Sequence, residues 1–178
     1  MFREPEAWKL LMEKLTDITA HYLVMQIEAG ADAIQVFDSW VGGLHPHVYE
    51  KSILPYMTTL FNRLSHFQKP LIHFGTGTGI LLPLLKQAGG DVIGVDWKTP
   101  LNKAWQNLGY DSVGVQGNLD PAVLLASEEV IKLEIDKVLN EADGRAGHIF
   151  NLGHGVWPHT SEDAVKQMVD YVHEKSSA

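Results

Sequence analysis

The strongest constraint on this chain is an alternation. Five short apolar runs each close on polar residues or glycine, and each is followed by a stretch with helical spacing. The runs are Ala33-Ile34-Gln35-Val36-Phe37, Leu71-Ile72-His73-Phe74, Val92-Ile93-Gly94-Val95, Val113-Gly114-Val115-Gln116 and His148-Ile149-Phe150. Their length and β-branched content predict strands. The intervening stretches predict helices at about 46–67, 80–87, 101–108, from Pro121 to 142, and 161–175. A further helix over 5–29 precedes the first strand. Pro5 suits its first turn and Gly30 its end. Trp8, Leu11, Leu15, Ile18, Tyr22 and Met25 recur at three- and four-residue steps and form its expected buried face.

The pattern is therefore an N-terminal helix followed by five βα units. Short strands alternating with helices imply an α/β fold with a parallel sheet covered by helices. No linker or low-complexity stretch interrupts residues 1–178, so a single domain is expected. The chain is 45% hydrophobic and 20% charged, enough apolar material for a sizeable core.

Composition excludes several functions. The net charge is −8 with no basic block, which argues against nucleic acid as a partner. No cysteine is present, so disulfides, thiolate catalysis and Cys-ligated metal are excluded. No run of about 18 apolar residues suggests a membrane span. The first residues carry no signal-peptide pattern, and a cytoplasmic protein is expected.

The strand ends carry the polar chemistry. They present Asp38-Ser39, His73, Asp96, Gln116 with Asn118 and Asp120, and Asn151 with His154. Parallel α/β folds bind ligands outside the carboxyl ends of their strands. Five such ends in a row favour a barrel mouth over an open sheet, where sites gather near one switch point. Asp38, Asp96 and Asp120 also suit helix caps or turns, Asp120 most of all because it precedes Pro121. Ser39 suits function and turn-capping equally. His73 could be a satisfied histidine under a loop. His154, between two glycines, lies in a loop too small to pack it as core.

A competing feature is Gly75-Thr76-Gly77-Thr78-Gly79, a glycine-rich loop between a strand and a helix. Such loops cradle phosphates or an adenosyl group. With Asp96 further on, it is similar to the first motif of S-adenosylmethionine-dependent methyltransferases. A dinucleotide fingerprint would need glycine where Ile80 stands. Three features oppose the methyltransferase reading: His73 stands where the motif carries an acid, another strand comes first, and Asn151-Leu152-Gly153-His154 has no counterpart of the later catalytic motifs.

Several segments taken together resemble uroporphyrinogen decarboxylase. These are Gln26-Ile27-Glu28-Ala29-Gly30-Ala31-Asp32-Ala33, Val36-Phe37-Asp38-Ser39-Trp40-Val41-Gly42, Gly94-Val95-Asp96-Trp97, Gln116-Gly117-Asn118-Leu119-Asp120-Pro121 and Asn151-Leu152-Gly153-His154-Gly155, in the family's order and spacing. The resemblance implies a partial TIM-type (β/α)8 barrel, with this chain aligned to strands four to eight. A complete barrel usually takes about 250 residues.

The family removes the four acetate carboxyls of uroporphyrinogen to give coproporphyrinogen, in tetrapyrrole and heme biosynthesis, without cofactor or metal. Protonating a pyrrole carbon makes a cationic ring that accepts the electrons released as CO₂ leaves. By resemblance, Ser39 and His154 bind substrate carboxylates. The family's key arginines, its pyrrole-facing aspartate and a substrate-contacting tyrosine belong to the first three units, so no catalytic residue is assigned here. Arg3, Arg63 and Arg145, the only arginines, lie at no predicted strand end. The chain alone is expected to turn over little. Self-association, or pairing with an N-terminal half, is expected to cover its open edge. A half-barrel whose role is assembly alone is the non-enzymatic alternative.

Overall fold

The computed structural model describes residues 1–176. In chain order the elements are α1 (Pro5–Glu28), β1 (Ile34–Phe37), α2 (Pro46–Ser52), α3 (Leu54–Leu64), β2 (Leu71–Phe74), α4 (Leu82–Ala88), β3 (Val92–Gly94), α5 (Leu101–Leu108), β4 (Gly114–Gln116), α6 (Glu128–Ala142), β5 (His148–Ile149) and α7 (Glu162–Ser176). The strands form one sheet in the order β1-β2-β3-β4-β5, and every pairing is parallel. This is the expected α/β architecture, an N-terminal helix and five βα units. Four of the five strands are one residue shorter than their apolar runs.

Register separates two faces. Val36, His73, Ile93, Val115 and His148 share one row, and Phe37, Phe74, Gly94, Gln116 and Ile149 share the next. Adjacent rows point to opposite faces of the sheet. The first row, with Ile34 and Leu71, faces the helices. Ile34, Leu71, Ile93 and Val115 belong to one core with Leu60, Phe61, Leu64, Leu85, Trp105 and Leu108. A smaller apolar cluster joins Leu119, Leu124, Ile131 and Ile135 to Ala164, Met168 and Val172 of α7.

The opposite face is concave. Gln116 Nε2 donates to Gln35 Oε1 at 3.3 Å, from β4 to β1 across two intervening strands. Strands sit about 4.8 Å apart, so a flat sheet would hold these backbones about 14 Å from each other. The sheet must curl for the two amides to meet, as barrel strands do.

Three expectations need correction. The helix expected over 46–67 is broken at Ile53, where φ is −124° and ψ −50°. Pro55 has no N–H, and its ring would strike the carbonyl of Lys51 in a continuous helix. After Pro121 the chain makes a 3₁₀ turn over Pro121–Leu125, and Ala126 is extended. The true helix starts at Glu128, with Glu128 and Glu129 at the positive end of its dipole.

The third correction concerns α1. Its buried residues are Thr16, Ala20, Leu23 and Ile27, which face α3. Leu11, Leu15, Ile18, Tyr22 and Met25 are instead 46–66% exposed, and only Trp8 of the expected face is half-buried. Apolar residues lie on both sides of this helix, so spacing could not choose between them. Small Thr16 and Ala20 let the two helix axes approach, and that side meets the core.

Candidate functional site

The concave face ends in a cleft of about 490 Å³ at the carboxyl ends of the strands. Gln35, Phe37, Ser39 and Phe74 line one side, and Asn151, His154 and Val156 the other. The residues that resemblance singles out, Ser39 and His154, thus reach one cleft from opposite ends of the sheet.

Strand alternation explains the lining. Gln35, Phe37 and Ser39 are two apart and share the concave side, while Val36 and Asp38 turn away. Phe37 and Phe74 meet edge to face with centroids 5.8 Å apart, giving an apolar floor. Gly94 makes room for this, because a Cβ there would lie 2.7 Å from the Phe74 ring. Gly153 is pressed against the Trp97 backbone and admits no side chain. This holds the 151–155 loop in place, with the exposed His154 ring 5.8 Å from the Trp97 ring. Lys98 Nζ lies 5.0 Å from the other ring partner, Trp97. Among the described residues, the Ser39 hydroxyl and the His154 nitrogens have no hydrogen-bond partner within the chain. The cleft therefore has an apolar floor and uncommitted polar groups at its rim.

The other polar strand ends are occupied within the fold. Asp96 is 1% exposed, and its carboxylate accepts from the backbone N–H of Gly77 and, at 3.1 Å, of Lys98. Asn118 Nδ2 donates to the carbonyls of Asp96 at 2.9 Å and Thr99 at 2.6 Å. Asp120 caps the 3₁₀ turn by accepting from Ala122 N–H at 2.9 Å. Asn151 lines the cleft, although its Oδ1 accepts from Leu152 N–H at 2.8 Å.

This geometry counts against the adenosyl-binding reading of the Gly75–Gly79 loop. The loop lies against Gly42, where any Cβ would strike the Thr76 carbonyl. Asp96, needed to hold a ribose, is spent on the loop's own amide. The glycines serve close contact between two strand-end loops.

His73 lies outside the cleft too. It is fully buried between sheet and helices, its ring 4.8 Å from that of Phe61. Nδ1 donates to the Leu85 carbonyl at 3.3 Å, and Nε2 has no hydrogen-bond partner. Asp38 Oδ2 stands 3.8 Å from that Nε2 and accepts from the Tyr49 hydroxyl at 3.5 Å. Burial first, and then the Asp38 carboxylate, push the Tyr49 hydroxyl well above the usual tyrosine range. At the far end of the same row, burial holds His148 below the usual histidine value, although its Nε2 donates to the Gly117 carbonyl at 2.8 Å.

Phe37, Phe74, Gln35 and Trp97 were not foreseen as site residues. Strand parity relative to Ser39 was the available signal for Phe37 and Gln35. Nothing local marked Trp97 beyond its place after Asp96. None of Arg3, Arg63 and Arg145 lines the cleft. Arg63 pairs with Asp17 and Arg145 with Asp143.

A curled parallel sheet with its cleft at the strand carboxyl ends defines the class: part of an α/β barrel of the TIM type. A solved methyltransferase from Methanosarcina mazei superposes with a TM-score of 0.77 at 21% identity, over 90% of this chain and 47% of that one, a likeness of fold. The uroporphyrinogen decarboxylase (URO-D) family model matches residues 1–175, and the chain belongs to that family. Uroporphyrinogen decarboxylases from Streptomyces coelicolor, Sorangium cellulosum and Thermus thermophilus are 49%, 51% and 52% identical to it. The alignments cover 99%, 97% and 98% of this chain but 50%, 49% and 50% of those proteins. The chain spans about half the length of the curated relatives it matches.

Proposed function

We propose that this chain is a single domain forming the strand-four-to-eight part of a uroporphyrinogen decarboxylase barrel, and that it holds the substrate's carboxylates. The observation that carries this reading is the convergence of Ser39 and His154 on one cleft with an apolar floor, in a chain of this family. A tetrapyrrole offers a broad apolar ring edged by carboxylates. Phe37 and Phe74 suit the ring, and the Ser39 hydroxyl donates to a carboxylate. His154 donates as well and adds charge once protonated.

Decarboxylation needs a proton delivered to a pyrrole carbon. The C–C bond to the carboxylate then breaks, its electrons flow into the cationic ring to leave an exocyclic methylene, and CO₂ departs; a proton added to that methylene and loss of the ring-carbon proton give the methyl product. The acid and an anion facing the pyrrole N–H groups are proposed to come from the first three βα units. The exposed row Leu11, Leu15, Ile18, Tyr22 and Met25 on α1 supports docking of such units, as do Phe37 and Ile149, 67% and 43% exposed on the concave face. Cytoplasmic tetrapyrrole biosynthesis is the setting proposed for the pair.

The test is an assay of uroporphyrinogen decarboxylation by the chain alone and with the N-terminal half of a curated relative supplied. Activity is expected only in the mixture, with S39A and H154A each lowering it about tenfold or more. An inactive mixture that nonetheless assembles overturns the enzymatic reading. Assembly and properties unchanged in the S39A/H154A double variant would favour an assembly-only role.

A further inference from the structure

Asp38 and Ser39 are adjacent but face opposite sides of the sheet. Ser39 lines the cleft, whereas Asp38 reaches back into the helix layer. There its Oδ2 meets the Tyr49 hydroxyl at 3.5 Å and faces His73 Nε2 at 3.8 Å. Tyr49 and His73 are both 0% exposed, and the Asp38 side chain is 18% exposed. Three polar side chains thus meet in a layer otherwise built from Phe61, Leu64 and Leu85. A carboxylate among such groups is unfavourable unless its partners hold it in one geometry. The Asp38 backbone is held as well. Its N–H donates to the Phe74 carbonyl at 2.7 Å, and its own carbonyl accepts from Val41 N–H at 3.4 Å.

We infer that Asp38 and Tyr49 are positioning residues that lock the β1 carboxyl end from behind and so aim the Ser39 hydroxyl into the cleft. His73 stands beside this pair from β2, its Nδ1 tied to Leu85 and its Nε2 3.8 Å from Asp38 Oδ2, so the lock itself joins the end of β1 to α2. The cluster makes no contact with ligand. Its effect on binding passes through Ser39 alone, and the inference rests on the proposed carboxylate role of that residue.

The experiment is a double-mutant cycle on the full chain, read as uroporphyrin affinity by fluorescence quenching. S39A is expected to weaken binding about tenfold, the scale of one hydrogen bond to a charged group. D38N should weaken it to a similar degree, and Y49F less. In the S39A background neither change should weaken binding further. Wild-type affinity in D38N overturns the inference, as does a double variant whose losses multiply to about a hundredfold. If S39A binds as tightly as the parent, the carboxylate reading of Ser39 fails. The lock is then decided by hydrogen exchange. Amides 38–43 exchanging at least tenfold faster in D38N, with β3 and β4 unchanged, uphold it, and equal exchange overturns it.

Discussion

The two faces of the sheet use similar residues for opposite ends. On the helix side Ile93 and Val115 are fully buried, in one core with the equally buried Leu85 and Trp105. On the concave side, one residue away in register, Phe37 is 67% and Ile149 43% exposed. Hydrophobicity alone therefore does not say which side of a strand is core. Coverage by the following helix decides it. The helix side holds the main core; on the concave side Ile72 and Phe74 in mid-sheet are buried, and Phe37 and Ile149 on the outer strands are not.

The contrast predicts unequal responses to equal truncations. Leu85→Ala, at a fully buried helix-side position, should cost about 2–5 kcal/mol in denaturant unfolding. Phe37→Ala should shift stability by about 0.5 kcal/mol or less yet weaken uroporphyrin binding. Similar stability losses for both would erase the distinction between the faces. Gly42→Ala tests the contact between strand-end loops. Its methyl would meet the backbone of Thr76 and Gly77, and we expect a loss of about 1–3 kcal/mol with a displaced 75–79 loop.

Smaller effects should appear in the pH dependence, and again on the helix side. Tyr49 has its pKa raised by burial, so the folded chain keeps a proton that the unfolded chain releases above about pH 10. Stability should fall as pH rises through that point, and Y49F should flatten the fall. His148 has its pKa lowered by burial, so below about pH 6.5 the unfolded chain takes a proton that the folded chain refuses. Stability should fall there as pH drops, and H148Q should remove that part of the loss. Thermal unfolding across pH 5–11 reads both.

Much of this was legible in the sequence because the signals were local. The strands, their parallel order and the polar strand ends follow from short apolar runs separated by helical spacing. The family motifs pointed to Ser39 and His154, which line one cleft. What escaped was decided by partners distant in sequence. Asp96 could be a ligand group or a structural acceptor until the Gly77 amide met it from 19 residues away. His73 looked like a strand-end polar residue, yet parity turned it toward Phe61 and Leu85. On α1 the periodicity was real, but the row it picked out is the one left exposed.

The sheet order has a last consequence. Each strand pairs only with its neighbours in sequence, and β1 and β5 stay unpaired on their outer sides among the described residues. Pairing within the sheet therefore joins consecutive βα units only. The two-residue β5 and the small cluster between α6 and α7 make up one end of this series. That end, which carries His154, should be the first to open under mild denaturant, seen as faster amide exchange in 148–155 than in β2 and β3.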